Sequence, residues 1–170
     1  TVLWAAGVAA SPLVATLGVP TDTAGRALVE PDLSIPGHPE VFVVGDAAAF
    51  LHQTGKPLPG VAQTAMQGAA HAARNVIALI EGEPTKRFVY RDKGSMAIVG
   101  RNAAIADLGW VRFTGTLAWL AWLFLHIFML IGFRSRLVVF LQWAVAYFTF
   151  QRSVRLITND SPGRGGMAEV

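Results

Sequence analysis

The sequence contains no cysteine, and charged residues occupy only 15% of its 170 positions. The missing cysteine excludes a disulfide scaffold and any thiolate-ligated zinc or iron–sulfur site within these residues. An apolar fraction of 53% argues against disorder over most of the chain. The chain starts at Thr1 with neither Met nor a signal-peptide pattern, so we expect a piece of a longer protein that begins inside a folded domain.

Acidic residues are also absent between Asp107 and Asp160, a stretch that contains five arginines. The formal net charge of +3 therefore conceals a division. Residues 1–85 carry three basic and seven acidic residues, whereas residues 86–170 carry eleven basic and four acidic ones. The arginines bracket long apolar runs and do not form a dense polar stripe. This arrangement predicts contact with an anionic membrane surface and no nucleic-acid partner.

Residues 1–84 have the pattern of an α/β fold. Short apolar runs at 27–29 and 33–35 lie beside turn sequences and predict short strands. Residues 41–44 form a continuous β-branched and aromatic run before a Gly-Asp pair, which predicts a strand buried on both faces. A helix is predicted from about 61 to 81 and is rich in alanine.

Residues 85–116 predict a small antiparallel β meander. Its expected strands are the runs at 88–90, 96–99 and 103–106, separated by Lys-Gly, Gly-Arg-Asn and Leu-Gly turns.

The remaining sequence predicts a membrane-associated helical hairpin at 117–158 and a disordered tail at 159–170. Phe113–Phe133 is free of charge over a length that would match the hydrocarbon core of a bilayer as a helix. Leu137–Gln151 is a second uncharged run, but it is short for a membrane span. In-plane attachment, true spanning and a buried helical pair at a subunit interface all remain open.

Two patterns predict a ligand site at one sheet edge. Gly45 and Asp46 follow the predicted buried strand, and ligands of α/β folds bind beyond the carboxyl ends of strands. An ionised aspartate only accepts hydrogen bonds, which suits a polyol hydroxyl, although a plain turn with a capping aspartate is equally consistent. Gln63 and Gln67 share a face at the start of the long helix, where the partial positive charge would stabilise an electron-rich ring. Two surface glutamines remain the alternative.

The order of several segments resembles the type II NADH dehydrogenases, single-subunit flavoproteins with two dinucleotide-binding domains. The segments are Trp4-Ala5-Ala6-Gly7-Val8, Val41 to Ala48, Ala62-Gln63-Thr64-Ala65-Met66-Gln67, and Gly94 to Arg101. The resemblance implies the C-terminal part of that fold, followed by the meander and the membrane-associated helices. It implies an enzyme that oxidises NADH and reduces a membrane quinone through FAD.

The resemblance also implies roles for individual residues. Asp46, after Gly45, would bond the ribityl chain of FAD, and the backbone of Ala62 and Gln63 would meet its isoalloxazine ring. Gly7 would lie near the flavin and the nicotinamide. Gln63 and Gln67 would line the quinone pocket. No metal site is expected. The implied location is the cytoplasmic face of the inner membrane, with homodimerisation left open.

One departure from the family pattern limits these implications. The Gly-x-Gly-x-x-Gly motifs that bind FAD and NADH are absent from this sequence. We therefore expect that the chain alone neither binds FAD tightly nor oxidises NADH. Two alternatives are a sulfide:quinone-type flavoprotein, which the absence of cysteine disfavours, and a non-catalytic membrane-anchoring module.

Overall fold

A computed structural model describes residues 9–149 of the chain, which divide into two compact units after Asp92. The predictions for Gly7, the first strand and the tail at 159–170 lie outside the described residues, as does the end of the predicted hairpin. The strands are β1 (Ala27–Leu28), β2 (Ser34–Ile35), β3 (His38–Phe42), β4 (Ala48–Ala49), β5 (Ser95–Gly100), β6 (Ala103–Asp107) and β7 (Arg112–Thr114). The α-helices are α1 (Ala62–Ile80), α2 (Gly115–Met129) and α3 (Phe133–Thr149).

The first unit combines short strand pairs with α1. β1 and β4 pair in parallel, and β2 and β3 pair antiparallel around a turn at Gly37, whose φ is +81°. The prediction of a doubly buried strand at 41–44 is wrong. β3 begins earlier and is exposed or half-buried, because the Gly37 turn folds it back onto β2 as a hairpin. Only Val43, just after β3, enters the core.

The long helix was predicted correctly to within one residue at each end. It contains no side-chain cap at Val61 and stops at Glu81, where Gly82 adopts a φ of +76°. Its alanines and Gly68 let it approach the neighbouring backbone closely: a Cβ at Gly68 would lie 3.5 Å from the Val44 Cβ.

The core of the first unit extends to residues that the sequence assigned to the meander. Phe88 and Tyr90 are 4% and 6% exposed, and the Phe88 ring packs edge-to-face on Phe50 with centroids 5.4 Å apart. The prediction of a strand at 88–90 is therefore wrong. The segment is extended but pairs with no strand among the described residues, and the first unit continues through Asp92 rather than ending near 84.

The second unit contains the predicted antiparallel meander, with a different third strand. β5, β6 and β7 pair in chain order, and β7 takes the place expected for 88–90. Asn102, at a φ of +58°, makes the turn between β5 and β6. Ala104, Ala106 and Ala118 form the small core where α2 covers the sheet.

The two apolar runs form two helices whose boundaries differ from the predicted ones. The continuous helix expected over Phe113–Phe133 is wrong: Phe113 belongs to β7, and α2 ends at Met129. The break follows from Gly132, at a φ of +84°, and from Arg136, whose Nε donates to the Leu130 carbonyl oxygen at 2.8 Å. Within residues 9–149, no helix combines the length and the apolar character needed to cross a membrane.

Candidate functional site

The Gly45–Asp46 turn lies against the first turns of α1. Gly45 has a φ of +66°, and a Cβ built on it would stand 3.1 Å from the Cβ of Ala65. Glycine is therefore needed both for the left-handed backbone and for the close approach of the helix. Asp46, next in the chain, is exposed.

The residue that precedes α1 completes this contact. A Cβ at Gly60 would lie 3.1 Å from Oδ1 of Asp46. The absence of a side chain at Gly60 thus leaves room for the carboxylate beside the start of the helix. The structure brings together the two features that the sequence placed at one sheet edge.

The N-terminus of α1 is not neutralised by its own first turn. Val61 makes no capping hydrogen bond through its side chain, and the first turn contains no acidic residue. Nearby, the buried Thr64 hydroxyl has no hydrogen-bond partner among the described residues. The aligned peptide dipoles therefore leave a partial positive charge close to an exposed carboxylate. Such a site can accept bonds from hydroxyl groups and stabilise an electron-rich ring edge.

The two glutamines differ in their surroundings. Gln63 is half-buried in the first turn. Gln67, also half-buried, spends both polar atoms on the backbone of Arg91. Its Nε2 donates to the Arg91 carbonyl at 2.9 Å, and its Oε1 accepts from the Arg91 N–H at 3.1 Å. The structure gives Gln67 a holding role that the sequence did not predict.

Gln67 is one member of a polar stripe on α1, defined here as Gln63, Gln67, His71 and Asn75. His71 Nε2 lies 2.7 Å from the Lys86 carbonyl oxygen. Asn75 donates to the same oxygen at 3.0 Å and accepts from the Lys86 N–H at 3.0 Å. The stripe thus holds the extended segment 86–91 antiparallel to the helix, with side-chain amides in place of a neighbouring strand. Its signal in the sequence was the four-residue spacing of polar residues in an alanine-rich helix.

A third amide and one carboxylate complete the attachment of this segment. Gln53 pairs with both backbone groups of Tyr90, at 2.9 and 2.8 Å. Asp32 accepts from the hydroxyls of Ser34 and Thr85, each at 2.6 Å. Burial raises the pKa of Asp32, but the hydrogen bonds from Ser34 and Thr85 outweigh it and hold the pKa below its ordinary value.

Comparison with known proteins identifies the chain. Residues 93–153 match the model of the NDH2 C-terminal domain. The chain is 47% identical over 165 residues to the type II NADH:quinone oxidoreductase Ndh of Mycobacterium tuberculosis, covering 93% of this chain and 35% of that protein. It is 43% identical over 167 residues to NdhA of the same organism, covering 93% and 34%. The chain thus spans about a third of the length of these relatives.

A solved structure supports the fold. The structure of NDH2 from Plasmodium falciparum in complex with NADH superposes with a TM-score of 0.72 at 16% identity, covering 89% of this chain and 46% of that one. The resemblance found in the sequence is therefore confirmed, and the chain belongs to the type II NADH:quinone oxidoreductase family, whose C-terminal domain it contains.

Proposed function

We propose that this chain supplies the C-terminal part of an enzyme that oxidises NADH and passes the electrons through FAD to a membrane quinone. Its family membership supports the activity, since the relatives are named for it. The observation that carries the proposal for this chain is the contact between the Gly45–Asp46 turn and the start of α1, with Gly60 leaving space at the Asp46 carboxylate.

The residues at this contact fit FAD. Asp46 would accept hydrogen bonds from ribityl hydroxyls, because an ionised carboxylate only accepts. The uncapped start of α1 at Ala62 and Gln63 would stabilise the electron-rich edge of the reduced ring. FAD supplies the hydride and electron chemistry when bound, while the protein supplies orientation and electrostatics.

The quinone would approach from the side of Gln63. Gln63 and Gln67 remain the predicted lining residues, and the bonds of Gln67 to Arg91 add a second role, that of fixing the wall behind Gln63. Because quinones dissolve in lipid, the site must be reachable from a membrane. The apolar helices α2 and α3 would attach this part of the protein to the cytoplasmic face of the inner membrane, lying in the interface as two short helices.

The cofactor role is tested with Asp46→Ala in the full-length protein. We expect less FAD in the purified protein and a matching loss of NADH:quinone activity that added FAD partly restores. Glu81→Ala is the matched control, since Glu81 is an exposed carboxylate at the opposite end of α1. Normal FAD content in Asp46→Ala would contradict the assignment.

The quinone role is tested with Gln63→Leu. The expected result is a higher KM for quinone with unchanged FAD content and unchanged reduction of a soluble one-electron acceptor by NADH. A variant that reduces quinone normally would refute the role of Gln63 and favour the anchoring module.

A further inference from the structure

The second unit contains a cavity of about 670 Å³ between β5, α2 and α3. It lies within this unit and shares no residue with the Asp46 turn or the start of α1. Its lining is aliphatic and aromatic with a single charged side chain, and includes Ile98, Arg101, Trp119, Trp122, Trp143 and Tyr147. A volume of this size is typical of a ligand site.

The cavity walls are built from paired aromatic rings. Trp122 on α2 stacks on Trp143 of α3 at a centroid distance of 5.6 Å, and Trp119 meets Tyr147 at 5.5 Å. The smaller residues Ala144 and Ala146 leave the space between them. With almost no polar wall, the cavity favours hydrocarbon over a ligand that needs several hydrogen bonds.

The charged member of the lining is held in a defined place. The Arg101 guanidinium lies 4.1 Å from the centroid of the Tyr147 ring and donates a hydrogen bond to the Tyr147 carbonyl oxygen. Arg101 is exposed while it lines the cavity, so it stands where the cavity meets the surface. A guanidinium is always charged and its planar fork matches the geometry of phosphate.

The surroundings of the cavity select the same kind of ligand. The two helices contain Arg134 and Arg136 and no acidic residue. Large apolar side chains at their surface are strongly exposed, among them Phe124 at 71% and Phe133 at 80%. Such a surface is stable only when hydrocarbon or protein covers it. The positive charge then favours anionic lipid as the neighbour.

We propose that the cavity holds one acyl chain of an anionic phospholipid, whose phosphate pairs with Arg101. The lipid would occupy this unit stoichiometrically, in addition to the general contact of α2 and α3 with a membrane. The proposal does not depend on the redox activity, since it uses none of the residues at the candidate cofactor site.

The test uses the full-length protein in phosphatidylcholine vesicles that contain a small fraction of phosphatidylglycerol with brominated acyl chains. Bromine quenches tryptophan on contact, so Trp122 and Trp143 report entry of a chain into the cavity. We expect quenching that saturates at one phosphatidylglycerol per protein. Brominated phosphatidylcholine should need about fivefold more lipid, the preference that one basic residue gives.

Two pairs of variants decide the outcome. Ala144→Leu fills the cavity and should abolish the saturable quenching, whereas Val145→Leu adds similar bulk at an exposed position of α3 and should leave it intact. Arg101→Gln should remove the preference for phosphatidylglycerol, and Arg134→Gln should retain it. Co-sedimentation with the vesicles and circular dichroism verify that each variant still folds and binds.

The proposal would be overturned if Ala144→Leu were quenched like the unmodified protein, or if Arg101→Gln kept the lipid preference. It would equally be overturned if protection from bromine grew with protein concentration, because the cavity would then be covered by a second copy of the chain.

Discussion

Replacing Asn75 by alanine should detach the segment 86–91 from α1. The Asn75 side chain is 2% exposed and makes three hydrogen bonds, two to the backbone of Lys86 and one to the carbonyl oxygen of Asp32 at 3.2 Å. At about 1 kcal/mol for each bond, with the emptied volume in addition, the variant should lose about 3 kcal/mol of stability in this region. Gln67→Ala breaks two more accessible bonds and should cost about 1 kcal/mol.

Amide hydrogen exchange measures this loss where it occurs. The N–H groups of Lys86, Tyr90 and Arg91 are each bonded to a different side chain, those of Asn75, Gln53 and Gln67. A loss of about 3 kcal/mol corresponds to roughly 150-fold faster exchange at Lys86. Arg74→Ala is the matched control, since it introduces the same residue at an exposed neighbouring position and should change stability by less than about 0.5 kcal/mol. If Asn75→Ala and Arg74→Ala exchanged alike at Lys86, the holding role of the stripe would be refuted.

Three further results are expected. Since the pKa of Asp32 is lowered in the folded state, its contribution should be complete above about pH 4 and lost as the pH falls through the folded pKa, and Asp32→Asn should flatten thermal stability between pH 6 and pH 2.5. Gly45→Ala should reduce FAD retention by pressing on Ala65, and Ala65→Gly should partly restore it; failure of this rescue would show that backbone strain at Gly45 dominates. Gly94→Ala places a Cβ 2.2 Å from the Asp107 carbonyl oxygen and should destabilise the meander by more than about 2 kcal/mol in denaturant titrations, whereas Gly100→Ala meets open space and should not.

Patterns that depend on neighbouring residues could be predicted from the sequence. The alanine-rich helix was found because its stop at Gly82 and its length are local features. The hairpin of β5 and β6 was found because strand-forming runs flank the turn at Asn102. The joining of Asp46 to the start of α1 was also predicted, since both follow from the edge of an α/β unit.

Features that depend on distant partners could not be predicted in the same way. The run at 88–90 has the composition of a strand, but its backbone partners are side chains of Gln53 and α1. The break between α2 and α3 depends on an arginine that bonds back to Leu130, which hydropathy does not record. Neither the aromatic cavity nor the second role of Gln67 has a signal in the spacing of its residues alone.

The polar stripe changes how substitutions on α1 must be interpreted. Gln63, Gln67, His71 and Asn75 share one face, yet the last three hold the segment 86–91 while the first lies at the candidate cofactor site. Lost quinone reduction in a Gln67 variant therefore has two physical causes, a missing contact to quinone or a displaced Arg91. Exchange at the Arg91 amide separates them: Gln67→Glu keeps the acceptor for this N–H but loses the donor to the Arg91 carbonyl. If activity falls in step with Arg91 protection across Gln67→Glu and Gln67→Ala, Gln67 acts through the segment, and the direct polar contact to quinone belongs to Gln63.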